Sequence, residues 1–301
     1  MEEAIRKAGV LIEALPYIRD FHDAVIVVKY GGSTIEDADL HNVLLSVAFM
    51  SQVGMRPILV HGGGKFITQA LDERGIETEF IHGYRVTDER ALPVVADVLI
   101  NQVNRKLVDA IRAFGSKSVG LTTEESRPLL AEPLTIGQAD GPDQHGRSLG
   151  FVGRVTGVDT DAILAATEDR TVPVIAPLAT GPAGEVLNCN ADTAASFIAG
   201  ALNAEKFVLL TDVPGILVPG PEGKPQLLSS ATEAEIERMI EQGHISGGMM
   251  PKVRACIAAL DAGVHKAHIV DGSIPHALLL EIFTNKGIGT QILGGPSAGG
   301  R

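Results

Sequence analysis

Apolar positions along this chain come in two alternating textures. Short continuous runs, such as Val25-Ile26-Val27-Val28 and Pro57-Ile58-Leu59-Val60, fit strands covered on both faces, as in parallel sheets. Between them lie longer stretches with apolar residues at three- and four-residue steps, the period of helices with one buried face. The pattern predicts strands over 24–29, 57–61, 118–121, 185–189, 206–211 and 266–271. It predicts helices over 37–53, 65–74, 88–113, 191–203, 231–242 and 248–262. Gly54, Gly75 and Gly115 stand where the first three of these helices end. Thr87 or Asp88 offers the N-cap of 88–113, and Pro93 moves its expected start toward Ala91. The alternation predicts an α/β fold: one mostly parallel, open sheet sandwiched by helices, in two lobes.

Three stretches stand outside that alternation. Residues 3–20 predict an additional N-terminal helix with an apolar stripe of Ala4, Ala8, Leu11, Leu15 and Ile18. Pro16 lies inside it and predicts a kink near Ala14-Leu15. The stripe needs a partner, in this chain's core or on another subunit. The second stretch, 122–158, holds short strands around 129–131 and 151–155, separated by the turn-rich insertion 137–146. That insertion reads either as a mobile hairpin at a site's mouth or as a plain surface loop. The third, from Gly294 to Arg301, predicts a disordered tail.

Composition narrows the setting. The chain has 301 residues and 45% apolar content, enough for a sizeable core. A net charge of −12 argues against general nucleic-acid binding. Cys189 and Cys256 are the only cysteines, as expected of a reduced cytoplasmic protein. The start lacks a signal-peptide layout, and no apolar run approaches the ~20 residues of a membrane span.

The candidate chemistry begins where the first two strands end. Lys29-Tyr30-Gly31-Gly32 closes one and His61-Gly62-Gly63-Gly64 the other. Glycines there let backbone N–H groups approach a ligand, and anions bind well where the next helix starts. The other reading of either loop is a tight strand-to-helix turn. The second loop matches neither the phosphate-binding Gly-x-x-x-x-Gly-Lys-Ser/Thr pattern nor the spaced dinucleotide glycines, because Lys65, Phe66 and Ile67 follow it. Lys29 either emerges to solvent or points into the crevice between the loops. Lys252, in Gly247-Gly248-Met249-Met250-Pro251-Lys252, opens a helix, where a cation is slightly unfavourable unless an anion is held beside it. Asn188, Asn190 and Asp192 give more short polar side chains than one helix cap requires. Arg85 suits bidentate carboxylate recognition or is a surface arginine. His265 and His268 resemble a metal pair by spacing, but on a strand they face opposite ways, which rules out a zinc site.

Together these segments, with Arg85-Val86-Thr87 and Leu210-Thr211-Asp212-Val213-Pro214-Gly215-Ile216, resemble the amino-acid kinase family over about 24 to 292, in family order. Within it they are most similar to the branch acting on N-acetyl-L-glutamate. The resemblance implies ATP-dependent phosphorylation of that substrate's side-chain carboxylate to an acyl phosphate, a step of arginine synthesis. It implies catalytic roles for Lys29, Lys252 and the organising Asp192. Gly63, Gly64, Arg85, Asn188 and Asn190 would bind the acetylamino acid. Gly31, Gly32, Thr211, Asp212, Gly215, Gly248 and Met249 would lie by ATP, with Mg²⁺ on its phosphates. The lobes would be 23–182 for the acetylamino acid and 183–294 for ATP, after an oligomerisation helix over 1–22.

The N-terminal helix also resembles that of arginine-inhibited, hexameric members. This implies L-arginine as inhibitor at Tyr17, Lys206, His268, Glu281 and Gly287, and a homo-oligomer, dimer or hexamer. Three positions depart from the family pattern: Thr123-Glu124-Glu125 after the Gly-Leu-Thr segment, Arg154 after Gly153, and Cys189 between the asparagines. The competing readings are a kinase for another acetylated acidic amino acid, such as acetylaminoadipate, and a non-catalytic arginine-binding regulator.

Overall fold

The computed structural model describes residues 1–31, 37–135, 148–220, 224–284 and 287–294. Gly32, the 137–146 insertion and the tail beyond Gly294 lie outside the described residues.

The first strand, β1 (Val25–Tyr30), is flanked in parallel by β2 (Arg56–His61) and by Lys206–Thr211. The whole sheet has eight strands, in the order Ser230–Thr232, Thr290–Leu293, Lys266–Asp271, Lys206–Thr211, β1, β2, Thr171–Ile175, Lys117–Leu121. Neighbours run parallel except Lys266–Asp271 against Thr290–Leu293. The mostly parallel sheet expected from the apolar runs is therefore present.

Those runs are unbroken because both faces are covered. Ile26 and Val28 enter a core with α2 (Asp37–Gln52), α3 (Gly64–Asp72) and the 91–113 helical stretch. Val27 enters the opposite core, with helices Ala191–Ala201 and Met249–Asp261.

The 88–113 stretch starts as Pro93 requires. Asp88 Oδ1 accepts the Arg90 and Ala91 N–H groups at 3.0 and 2.7 Å, and the helix begins at Ala91. It is not one uniform helix. Val98–Asn104 is π-helical between α-helical Ala91–Asp97 and Arg105–Ala113.

Leu129–Thr135, Ser148–Val158, Leu178–Thr180 and Val186–Cys189 close into a four-stranded barrel. The sequence pattern gives only fragments of it. Register shifts at Leu130/Ala131 and Pro133/Thr135 break the two-residue alternation that marks a strand. Arg154 lies on the barrel's outside, 3.2 Å from Glu132 on the neighbouring strand.

The N-terminal helix, α1 (Glu2–Asp20), continues through Pro16. The helix stands in solvent there, so the carbonyl that Pro16 cannot bond is left to water. Its apolar side chains do not turn into this chain's core: Ile5, Leu11 and Leu15 are 63%, 68% and 56% exposed. Tyr17 does meet the rest of the fold: its ring centroid is 6.1 Å from that of Phe283.

Candidate active site

The carboxyl ends of β1 and β2 bring the two glycine loops together. Gly62 donates its N–H to Tyr30 O at 2.8 Å, and a Cβ on Gly62 would lie 3.5 Å from the Gly31 Cα. A Cβ on Gly31 would lie 2.6 Å from Lys29 Nζ. Glycine at 31 thus leaves the path along which the lysine folds back over the loop. Gly63 caps α3, whose first turn adds further N–H groups.

A cleft of about 370 Å³ opens at these loops and is lined by Lys29, Gly62, Gly63, Gly64, Arg85, Asn188 and Asn190. The structure therefore gathers the expected acetylamino-acid residues and one of the two lysines. Leu99, Val152, Pro177 and Phe80 also line it, and no local motif singles them out.

Lys29 is buried, and its Nζ lies 2.7 Å from Asp192 Oδ1. Asp192 stands in the first turn of its helix, where a carboxylate also favours the helix dipole. Asn190 is the N-cap: its Oδ1 accepts the N–H groups of Asp192 and Thr193 at 2.8 and 3.1 Å. That leaves the Asn190 amide N–H groups as the side chain's donors to a ligand. Asn188 Nδ2 donates to Thr87 Oγ1 at 3.2 Å, and Thr87 Oγ1 donates to Arg85 O at 3.0 Å.

Arg85 is held from several sides. Its Nη2 donates to Gly64 O at 3.0 Å and Thr68 Oγ1 at 2.8 Å, and its Nη1 to Thr78 Oγ1 at 3.2 Å. The guanidinium carbon lies 4.6 Å from the Phe80 ring centroid. Burial lowers its pKa from the ordinary value, and the Asp72 charge opposes that shift. Sequence reading missed Phe80, Thr68 and Thr78, because only the short hairpin of Phe80–Ile81 with Tyr84–Arg85 places them around the guanidinium.

Lys252 does not line the cleft. It is half-buried in the first turn of Met249–Asp261 and makes no ion pair among the described residues. One turn on, Cys256 feels the Asp192 charge, which adds to burial in raising its thiol pKa. The helix therefore presents this face toward Asp192. Thr211 lies beside Gly31, because Tyr30 pairs with Leu210, and its Oγ1 donates to Asp212 Oδ1 at 3.2 Å. Gly215 is buried with φ +137°, where a Cβ would lie 2.6 Å from Thr290 Oγ1. Gly248 is the exposed N-cap residue before Met249. Cys189 is buried, and desolvation pushes its thiol up to about 12, which makes it a packing residue at neutral pH.

At the amino ends of the strands lies a second buried group. His268 Nδ1 is 2.7 Å from Glu281 Oε1, and Glu281 Oε2 accepts the N–H groups of Ile288 and Gly289 at 2.7 and 3.1 Å. Lys206 Nζ lies 4.8 Å from the Phe21 ring centroid and feels the charge of Glu281. Gly287, at φ +62°, passes so close that a Cβ would lie 2.6 Å from the Glu281 carboxylate oxygens. Tyr17 reaches the edge of this group through Phe283, which follows the Glu281 helix. His265 pairs instead with Glu205 at 2.7 Å, so the two histidines have separate partners.

The sequence profile described as the amino acid kinase family matches residues 24–271. The acetylglutamate kinase of Geotalea uraniireducens is 46% identical over 297 residues, covering 98% of this chain and 100% of the relative. That of Methanococcus vannielii is 45% identical over 289 residues, covering 96% and 98%. Among solved structures, the N-acetylglutamate synthase of Neisseria gonorrhoeae with coenzyme A and N-acetyl-glutamate superposes with a TM-score of 0.83 at 26% identity. That match covers 96% of this chain but only 64% of the synthase. The same synthase with coenzyme A and L-arginine gives a TM-score of 0.79 at 26% identity, covering 95% and 65%. Giardia lamblia carbamate kinase bound to AMP-PNP, at 17% identity and a TM-score of 0.62, shares the fold over 90% of this chain and 99% of its own. The profile match and these relatives agree with the order of elements around the cleft, and the chain belongs to the amino acid kinase family, among the acetylglutamate kinases.

Proposed function

We propose that the chain transfers the γ-phosphoryl group of ATP to the side-chain carboxylate of N-acetyl-L-glutamate, in arginine biosynthesis. The observation that carries this reading is the cleft itself. A buried Lys29–Asp192 pair stands at one side, Arg85 at the other, and glycine loops lie between. Arg85, Asn188 and Asn190 would hold the α-carboxylate and acetylamide, leaving the side-chain carboxylate facing the loops. That carboxylate is ionised at neutral pH, from a reference pKa near ~4.3, so no general base is needed. One of its oxygens attacks the γ-phosphorus, the bond to the β,γ-bridging oxygen breaks, and ADP leaves with that electron pair. No proton moves.

The obstacle is an anion approaching a polyanion, so catalysis is chiefly positioning and charge stabilisation. Lys29 would meet the transferring phosphoryl group, with Asp192 fixing its position, and Lys252 would approach from the nucleotide side. The N–H groups of Gly31, Gly32, Gly63 and Gly64 would donate to its oxygens. Thr211, Asp212, Gly215, Gly248 and Met249 would border the nucleotide. Mg²⁺ bound with ATP would neutralise phosphate charge. Among the described residues no group of three or more His, Cys, Asp or Glu side chains could cage it, so we assign its ligands to phosphate and water.

In this reading residues 23–182 form the acetylamino-acid lobe and 183–294 the ATP lobe. L-arginine is the proposed inhibitor, at Lys206, His268, Glu281, Gly287 and Tyr17. Two observations favour it: these residues cluster, and the similar Neisseria synthase was solved with L-arginine. The exposed apolar face of α1 favours a homo-oligomer, dimer or hexamer, with 1–22 as its oligomerisation segment. No helix among the described residues is long and apolar enough to cross a membrane, and we place the enzyme in the cytoplasm.

Turnover of ATP with acetylglutamate, with the acyl phosphate trapped by hydroxylamine, tests the proposal. Acetylaminoadipate as the preferred substrate would replace it with the longer-chain kinase, and no turnover with either would leave an arginine-binding regulator.

A further inference from the structure

His61 is fully buried at the end of β2, directly before the glycine loop. Its Nδ1 lies 2.9 Å from Gly62 O, and its Nε2 lies 3.2 Å from Asn104 Nδ2. Gly62 O can only accept, so Nδ1 carries the proton. Asn104 Nδ2 has two hydrogens, and the second goes to Val174 O at 2.9 Å. Nε2 is therefore an acceptor. The ring is neutral, in one tautomer, and bonded at both nitrogens.

We propose that His61 is a positioning residue that aims the Gly63 N–H at the transferring phosphoryl group. The proposal rests on the kinase reading above. Its warrant is the planarity of the peptide. In a trans peptide the carbonyl of residue 62 and the N–H of residue 63 point in opposite directions. The His61 ring holds the Gly62 carbonyl on the buried side. The Gly63 N–H must then face the cleft that Gly62 and Gly63 line. No hydrogen bond from that N–H is found among the described residues. Glycine has the broadest backbone freedom of any residue, so three in a row leave this peptide free to turn unless something outside the loop fixes it.

The π-helical stretch explains how the support reaches the loop. Leu99 and Asn104 are five residues apart. On an α-helix they would diverge by about 140°. A π-helix bonds i to i+5, and its wider turn brings such residues much nearer to one face. Here Leu99 lies against Gly63, where a Cβ would be 2.7 Å from Leu99 Cδ2. Asn104 meets His61, and Gly120 leaves room for it, because a Cβ there would run into Asn104 Oδ1. One helical irregularity thus supplies both the apolar and the polar buttress of the phosphate loop.

Two substitutions of similar size separate this role from mere packing. In His61→Asn the side-chain Nδ2 overlays the imidazole Nδ1 and can still donate to Gly62 O. In His61→Gln the amide reaches Asn104 but not Gly62 O. The proposal expects His61→Asn to retain most of the parental kcat. His61→Gln should lose about 10²-fold in kcat, the scale of one misplaced oxyanion donor, with KM for ATP and acetylglutamate little changed. Equal losses in the two variants, or none in either, would overturn it. One measurement on the unsubstituted protein does not depend on how the variants fold. The ¹⁵N shifts of His61 report which ring nitrogen holds the proton, and an Nε2–H tautomer would also overturn it. An unsubstituted chain that turns over neither acetylamino acid defeats the kinase reading instead, whatever the tautomer.

Discussion

Lys29 and Asp192 form a buried ion pair, Nζ to Oδ1 2.7 Å, with side chains 9% and 11% exposed. They come from opposite halves of the sequence, and the pair fixes a cation at the mouth of the glycine loops. The lysine is therefore part of the protein's interior as well as of the proposed chemistry. Lys252 is half-buried and has no ion pair among the described residues.

The two lysines should consequently respond differently to removal. Lys29→Ala and Lys252→Ala should each lower kcat by about 10²–10³-fold, as for loss of one preorganised electrostatic group. Only Lys29→Ala strands a buried carboxylate, at a cost of about 3–5 kcal/mol. Denaturant unfolding beside steady-state kinetics checks both halves. Equal stabilities for the two variants would show that Asp192 is satisfied without Lys29.

Gly31→Ala should act through Lys29. The new methyl carbon would sit 2.6 Å from Nζ, and the lysine end is flexible enough to swing away. Moving Nζ also loosens its pair with Asp192, so stability should fall, though by less than in Lys29→Ala, while kcat falls by at least about tenfold as a positioned charge is displaced. A variant with parental kcat would show that Lys29 does not need its folded-back position.

Arg85→Lys keeps a charge but cannot reach Thr68, Thr78 and Gly64 O together or stack as a plane on Phe80. The apparent affinity for acetylglutamate should fall far more than that for ATP. Titrations of each substrate at saturation with the other decide it, and parallel losses would make Arg85 a scaffold residue.

Acid should destabilise the fold through His61. Burial pulls this imidazole from 6.5 to about 4, so the folded chain keeps it neutral where the unfolded chain binds a proton. Its stabilising contribution is complete above about pH 6.5 and is lost as pH falls toward 4, by roughly 3 kcal/mol. Burial also lowers His268, which acts in the same direction. Urea unfolding near neutral pH and at about pH 4.5 should show a smaller acid loss in His61→Asn than in the parent. Identical losses would place the acid sensitivity elsewhere.

Deleting residues 1–20 removes the exposed side chains of Ile5, Val10, Leu11, Ile12 and Leu15 together with Tyr17. Sedimentation should show a smaller assembly, and an arginine titration should show weaker inhibition, with basal turnover retained. An unchanged assembly would mean that another surface holds the subunits together.

Features under local physical control were legible in the chain alone. The apolar runs specified the parallel strands, because a strand buried on both faces has no polar alternation. Asp88 and Pro93 set the start of the 91–113 stretch, because a cap and a missing N–H act within one turn. The glycines after β1 and β2 marked the cleft, because close backbone approach needs residues without a Cβ. Tertiary structure alone decided the rest. Cys189 separates two cleft asparagines, yet the closed barrel that presents all three comes from strands whose register shifts hide their period. Phe80 and Thr68 surround Arg85 only after the hairpin folds over α3. α1 continues past Pro16 because solvent can satisfy the carbonyl the proline leaves free. The π-helical turn that brings Asn104 to His61 has no signature in composition or spacing. A helix changes its winding when long-range contacts, here with β2 and Val174, outweigh its own hydrogen-bond ladder, and those contacts exist only in the folded chain.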